Sequence, residues 1–216
     1  MFSAEDVTGV KRAFMGTSAN AAFFPSQNAS KSSGGGRLGL ISKGSIPAPA
    51  RAVTFLPFGG AAPAGARSGV KAFDLATGAF KADYDFPEGP AACNDIAVAA
   101  DGTTFVTDTA GGRIFSLAPG ADALDLFAAD PALVGIDGIA FSGDDTMYIN
   151  NVRQNTVQRV NRNGAAYAGL TTLELSEPVS GPDALRPVSG NRFLQAEGSG
   201  NRVTYVDVEG DKAVIT

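Results

Sequence analysis

The chain has 216 residues, 44% of them hydrophobic, and 17 Lys and Arg against 22 Asp and Glu give it a net charge of −5. This length supports a sizeable core, whereas the acidic balance, with no basic cluster longer than Lys11-Arg12, argues against a nucleic-acid partner. There is no histidine and one cysteine, Cys93, which excludes histidine-based nucleophile systems, intrachain disulfides and a cysteine zinc cage. Any catalyst must therefore use carboxylates, amides, hydroxyls, Lys, Arg, Tyr or a metal held by oxygen.

The first quarter of the chain differs from the rest in composition. Its four phenylalanines follow no period, and residues 26–36 have the Ser- and Gly-rich composition of a linker. We expect residues 1–50 to form a low-complexity or poorly ordered N-terminal arm.

Membrane and export signals are not visible in the sequence. No apolar run approaches the roughly 18 residues of a membrane span, and residues 1–30 lack a basic start followed by an apolar segment. We expect a soluble protein without a membrane partner, and its compartment stays unknown.

Strand-like segments begin at Arg51. Residues 52–56 are predicted to form a strand, and the alternating runs 70–75 and 79–86, joined by a turn at 76–78, are predicted to form a hairpin. Such a hairpin is expected to be the outer half of a sheet. Its expected counterparts are 113–117 with 123–128, 156–160 with 171–175, and 202–208 with 212–215.

One pattern occurs three times between residues 91 and 197. Asn94, Asp137 and Asp183 open apolar runs and lie 43 and 46 residues apart. Each is followed by a second run, at 104–108, 147–151 and 192–197. Each second run ends on another side chain with an oxygen atom, 14 residues after the opener: Asp108, Asn151 and Glu197. The chain is therefore predicted to be a repeat protein.

A period of about 40 to 50 residues that holds several short strands is typical of a β-propeller blade. Helical repeats fit poorly, because Gly and Pro turns cut the runs and no segment has a 3.6-residue apolar stripe. We predict an all-β fold in which residues 51–216 form a partial β-propeller of four-stranded antiparallel blades, about four in number. A six-bladed ring needs roughly 270 residues at this period. We therefore expect the folded chain to be a fragment of such a ring, with open blade edges that favour self-association.

The openers suggest a binding site. The first strand of each propeller blade lines the central channel, so Asn94, Asp137 and Asp183 should converge near one mouth. Two carboxylates and an amide oxygen repel one another or stay under-solvated unless a hard cation neutralises them, and such a set suits Ca²⁺ or Mg²⁺. The alternative is that these residues only cap turns or bind channel water, and spacing alone does not decide. Two interpretations also stay open for Asp108, Asn151 and Glu197: they hold site residues in place through hydrogen bonds, or they only cap the ends of their strands.

Four segments carry a resemblance to a known family. They are Cys-Asn-Asp-Ile-Ala-Val at 93–98, Val-Thr-Asp at 106–108, Gly-Ile-Asp-Gly-Ile-Ala-Phe at 135–141 and Gly-Pro-Asp-Ala-Leu at 181–185. As an ordered set they resemble the gluconolactonase, regucalcin (senescence marker protein) and luciferin-regenerating-enzyme family of six-bladed propellers. The resemblance covers roughly residues 69–216.

The resemblance implies a divalent cation at the channel mouth and hydrolysis of a small-molecule lactone or ester. By position, Asp183 matches the metal-binding residue that also acts as the catalytic general base, and Asp137 matches a metal-binding Asn. Asn94 matches the substrate-side Asn and lies close enough to be counted among the metal ligands. Ca²⁺ is the expected ion, with Mg²⁺, Mn²⁺ and Zn²⁺ as alternatives.

This chain departs from the family pattern at three places. Asp137 stands where the family has Asn, and Ala184 stands where it has Gly. The first-blade Glu ligand of the family has no convincing match, because Glu88 lies only six residues before Asn94 and belongs to the same repeat.

The expected function is a metal-dependent hydrolase of the lactonase type. The alternative is a non-catalytic propeller that serves as a binding or scaffold module, or that truncation has inactivated.

Overall fold

The computed structural model describes residues 68–74, 78–87 and 91–216 in full, and residues 37–40 and 50–54 as backbone only. The chain divides into two compact units, residues 1–93 and residues 94–216, and each is described by itself. Apart from β1 below and Ala50, residues 1–50 lie outside the described residues, so the N-terminal arm stays a prediction. Glu88 lies outside them as well.

The first unit contains one four-stranded sheet. Its strands are β1 (Arg37–Leu40), β2 (Ala50–Thr54), β3 (Gly69–Phe73) and β4 (Phe80–Asp85). They pair in chain order and antiparallel. The hairpin predicted at 70–86 is confirmed, and the strand expected at 52–56 begins two residues earlier.

The second unit contains three further sheets, and in each of them one repeated motif lies at the start of a strand. The first is β5 (Cys93–Val98), β6 (Thr104–Asp108), β7 (Arg113–Leu117) and β8 (Asp125–Ala129). The second is β9 (Ile136–Phe141), β10 (Met147–Asn151), β11 (Thr156–Asn163) and β12 (Ala166–Thr172). The third is β13 (Glu174–Leu175), β14 (Pro182–Ser189), β15 (Arg192–Glu197), β16 (Arg202–Glu209) and β17 (Lys212–Ile215).

These sheets confirm the predicted fold class. Antiparallel four-stranded sheets of consecutive strands are the blades of a β-propeller. The described part of the chain contains four such sets of strands, the last of which gains a fifth strand, β13, in parallel. The only helical turn among the described residues is a 3₁₀ turn at Pro131–Leu133. Within the same residues, no helix is long and apolar enough to cross a membrane.

One outer strand differs from the sequence-based expectation. The partner of β11 is not 171–175 but β12, which starts at Ala166 directly after a two-residue turn. Gly164, with φ of +61°, allows this tight turn, so the strand returns at once. Glu174 and Leu175 instead pair in parallel with β17 and form the edge strand of the next sheet.

Two apolar clusters fill the spaces between successive sheets of the second unit. Alternating side chains of β10 face opposite ways, as strand geometry requires. Met147 and Ile149 join Phe105 in the cluster shared with the preceding sheet, whereas Tyr148 packs against Phe193 in the cluster shared with the following sheet. The Tyr148 and Phe193 ring centroids are 5.2 Å apart. Burial of one such side chain stabilises the fold by about 1.5–3 kcal/mol.

The inner strands β9 and β14 approach each other closely because residue 138 is glycine. A Cβ atom at Gly138 would lie 2.5 Å from the Leu185 backbone nitrogen and 2.8 Å from the Asp183 carbonyl oxygen. Both distances are far below van der Waals contact. The absence of a side chain here therefore sets the distance between the two strands that carry Asp137 and Asp183.

Candidate functional site

The structure brings the three repeat openers together. Asp137 at the start of β9 is 6% exposed, and its carboxyl group is within hydrogen-bonding reach of the Asp183 carboxyl group and of the Asn94 side chain. Asn94, 9% exposed, also donates a hydrogen bond from Nδ2 to Thr109 Oγ1 at 3.0 Å. Asp183 is half-buried at the start of β14. Two carboxyl groups and one amide thus meet where three inner strands begin.

Two polar side chains at equivalent repeat positions join these inner strands. Thr107 Oγ1 accepts a hydrogen bond from the Asp95 backbone N–H at 2.9 Å and donates one to the Asp137 carbonyl at 2.9 Å. Asn150 Oδ1 accepts from the Gly138 N–H at 2.7 Å, and its Nδ2 reaches the Ala184 carbonyl at 3.5 Å. Thr107 therefore ties β5 to β9, and Asn150 ties β9 to β14.

An ion pair that the sequence-based interpretation missed lies beside the openers. Asp95, 3% exposed, accepts two hydrogen bonds from the Arg186 guanidinium, Nη2 to Oδ1 at 2.8 Å and Nη1 to Oδ2 at 2.5 Å. Its Oδ2 also accepts from the Ile139 N–H at 3.0 Å. The signal was present in the sequence: Asp95 and Arg186 each place a charge inside a largely apolar strand, and a buried charge needs a partner.

Burial and like charge disfavour joint ionisation of the two opener carboxyl groups. Burial, followed by the negative charges of Asp183 and Asp95, raises the pKa of Asp137 to about 9, and the hydrogen bond from Asn94 opposes this rise. Burial also raises the pKa of Asp183, and the hydrogen bond from Asp137 partly offsets it. At neutral pH, Asp137 therefore keeps a proton unless another positive charge takes its place.

The donor set fits a hard cation, which would replace this proton between the two carboxylates. Asp137 and Asp183 supply carboxylate oxygens and Asn94 an amide oxygen, which are the ligands that Ca²⁺ and Mg²⁺ prefer. Among the described residues, no three acidic or cysteine side chains come together in a metal-binding arrangement. A cation at this position would have two carboxylates and one amide as its protein ligands.

The polar residues at the ends of the second strands all accept hydrogen bonds from backbone N–H groups. Asp108 accepts from the Gly111 N–H at 3.1 Å, Asn151 accepts from the Arg153 N–H at 3.0 Å, and Glu197 accepts from the Ser180 N–H at 2.7 Å. All three side chains are buried. Asp108 and Asn151 therefore cap the turns that follow their strands, whereas Glu197 binds the segment that leads into β14.

Comparison with known proteins identifies the fold. No protein-family model and no curated protein matches the chain. Similar solved structures include virginiamycin B lyase from Staphylococcus aureus, 13% identical with a TM-score of 0.55 over 84% of this chain and 66% of that one. Its catalytically inactive histidine-to-alanine variant with quinupristin matches at 13% identity and a TM-score of 0.55, over 83% and 66% of the two chains. A presumed gluconolactonase is 17% identical, with a TM-score of 0.50 over 76% of this chain and 56% of that one.

These matches define a β-propeller protein. The chain spans just under two thirds of the lyase and little more than half of the presumed gluconolactonase. At such low identities the likeness concerns the fold alone. It supports the propeller class and does not single out the gluconolactonase and regucalcin family.

Proposed function

We propose that this protein is a metal-dependent hydrolase of the lactonase type, which acts on a sugar lactone or a related ester. One observation carries the proposal: Asp137 and Asp183, the openers of two consecutive blades, face each other with Asn94 alongside. The expected Ca²⁺ would be held by these three residues. When bound, the cation would polarise the substrate carbonyl as a Lewis acid.

Asp183 is suited to act as the general base. It is more exposed than Asp137, so water can reach its carboxylate. The raised pKa of Asp183 makes the carboxylate a better proton acceptor, while the Arg186 charge nearby favours its ionised form. Asp183 takes a proton from the attacking water as the water oxygen bonds to the carbonyl carbon. It then returns that proton to the alcohol oxygen released when the ester bond breaks.

Asn94 is suited to orient the substrate. Its side chain is held by Thr109 and lies next to Asp137. Its two N–H donors are taken by Thr109 and Asp137, so the amide oxygen is the group left to bind the cation and to accept a hydrogen bond from a substrate hydroxyl.

Lyase activity like that of the structural neighbour is not proposed. The catalytically inactive variant of virginiamycin B lyase replaces a histidine, and the present chain contains no histidine. Hydrolysis by carboxylates and an oxygen-held cation requires none.

The test is an assay of aldonolactones and aryl esters with added Ca²⁺, Mg²⁺, Mn²⁺ or Zn²⁺, for wild type and Asp183→Asn. The variant keeps the shape and one oxygen ligand but loses the carboxylate base, so kcat should fall by about 10²- to 10⁴-fold. Asp207→Asn is a matched control, because Asp207 lies in the same sheet and pairs with the exposed Arg192. Metal-stimulated turnover that survives Asp183→Asn undiminished refutes the assigned base. Absence of turnover with every metal favours a non-catalytic propeller.

A further inference from the structure

The Asp95 carboxylate contacts all three strands on which the openers lie. Asp95 belongs to β5 and directly follows Asn94. Its Oδ2 accepts from Ile139 of β9, two residues after Asp137, and it pairs with Arg186 of β14, three residues after Asp183. The Arg186 guanidinium also donates to the Leu185 carbonyl at 2.7 Å, which fixes it to its own strand.

We propose that Asp95 and Arg186 are positioning residues for the cation site. Their ion pair holds Asn94, Asp137 and Asp183 at the spacing that a bound cation requires, although neither residue is itself a ligand. This inference rests on the proposed function and adds to it the residues that set the geometry of the site.

The ion pair has the properties of a geometric clamp rather than of a device for stability. A buried ion pair loses so much hydration that well-packed apolar residues in its place are often equally stable. A planar guanidinium that binds both oxygens of one carboxylate, in contrast, fixes distance and orientation. When both Asp137 and Asp183 are ionised, as cation binding requires, the clamp also counters their repulsion, because both carboxylates attract the Arg186 charge.

Electrostatics alone makes the opposite prediction for Arg186. The guanidinium is a positive charge close to the two proposed metal ligands, so it repels a cation. If charge were its only influence, removal of the guanidinium would tighten cation binding. If Arg186 positions the ligands, removal weakens binding in spite of the relieved repulsion.

The first experiment measures Ca²⁺ binding by calorimetry with the full chain. We expect the Kd to rise by about 10- to 100-fold in Arg186→Gln, which is the usual range for residues that orient metal ligands. Arg186→Lys keeps the charge but cannot bind both carboxylate oxygens in the same plane, and it should weaken binding as well. The matched control is Arg113→Gln, because Arg113 pairs with the buried Asp108 at a turn. Its Kd should equal that of wild type.

The double variant Asp95→Asn, Arg186→Gln keeps the proposal testable if Arg186→Gln alone does not fold. It leaves no unpaired buried charge, so it should fold and still bind Ca²⁺ more weakly than wild type. Tighter binding by Arg186→Gln, or unchanged binding by folded Arg186→Gln and by the double variant, overturns the proposal.

A second readout requires no cation. Hydrogen exchange of the peptides that contain β9 and β14 should be faster in Arg186→Gln than in wild type, and Arg113→Gln should leave both peptides unchanged. Unchanged exchange of these peptides in folded Arg186→Gln refutes the clamp whether or not the protein binds metal. If Arg186→Gln weakens Ca²⁺ binding and speeds exchange while no lactone or ester is hydrolysed, the proposed function fails and the positioning role of the ion pair stands. A wild-type protein that binds no cation overturns both.

Discussion

Replacement of Gly138 by alanine tests whether the spacing between β9 and β14 controls the site. The new Cβ would meet the Leu185 nitrogen at 2.5 Å, whereas ordinary contact begins at 3.4 Å, so one strand must move by about 0.9 Å. Because the Leu185 nitrogen belongs to the backbone, it cannot rotate away as a flexible side chain could. Such overpacking typically destabilises a protein by about 1–3 kcal/mol. A displacement of about 1 Å at a reacting centre can lower a rate by about 10²-fold.

The matched control for this substitution is Gly198→Ala. A Cβ at Gly198 would make only ordinary contacts, 3.7 Å to the Gly181 carbonyl and 3.9 Å to Asp183 Oδ2. Urea unfolding and Ca²⁺ calorimetry of both variants measure the two effects separately. We expect Gly138→Ala to lose stability and Ca²⁺ affinity, and Gly198→Ala to change neither appreciably. Wild-type affinity in a folded Gly138→Ala variant would refute the link between strand spacing and the site.

Three further predictions concern individual carboxyl groups. The folded-state pKa of Asp137, about 9, exceeds its ordinary value of 3.8, so the cation-free folded protein holds an extra proton between these pH values and loses stability as pH rises through them. Urea titrations from about pH 5 to pH 8 should show the free energy of unfolding falling by at most about 1.4 kcal/mol per pH unit, and this fall should be smaller in Asp137→Asn. An equal dependence of the free energy of unfolding on pH in wild type and variant contradicts the raised pKa of Asp137. Chelator-sensitive Ca²⁺ binding should weaken in Asp137→Ala and vanish when Asp183→Ala is added, and equal binding by wild type and the double variant places any ion elsewhere. Asp108→Ala removes the ion pair between the buried Asp108 and Arg113 and should cost about 3 kcal/mol in free energy of unfolding without a change in Ca²⁺ affinity; a loss of affinity would show that this turn reaches the site.

Local patterns in the sequence were sufficient to predict the strands. The second strands at 104–108, 147–151 and 192–197 have the predicted bounds, because alternating apolar residues and flanking turn residues are properties of the segment itself. The outer strand at 166–172 was placed wrongly. Its small residues and Gly169 give a weak alternating pattern, and the tight turn at Gly164, rather than hydrophobicity, determines where the strand starts.

The repeat also predicted which residues would meet. Asn94, Asp137 and Asp183 occupy the same position in successive repeats, and repeats that fold alike bring equivalent positions to the same end of their sheets. Their convergence follows from the period alone, before any contact between blades is known.

The surroundings of these residues were decided only by the tertiary structure. Asp95 and Arg186 are 91 residues apart, and their pairing depends on how β5, β9 and β14 are staggered relative to one another. That stagger follows from the apolar packing between the sheets and from the missing side chain at Gly138, and neither is encoded in the pattern of a single repeat. The raised pKa of Asp137 has the same origin, since burial and the approach of two other carboxylates exist only after the three strands have packed together.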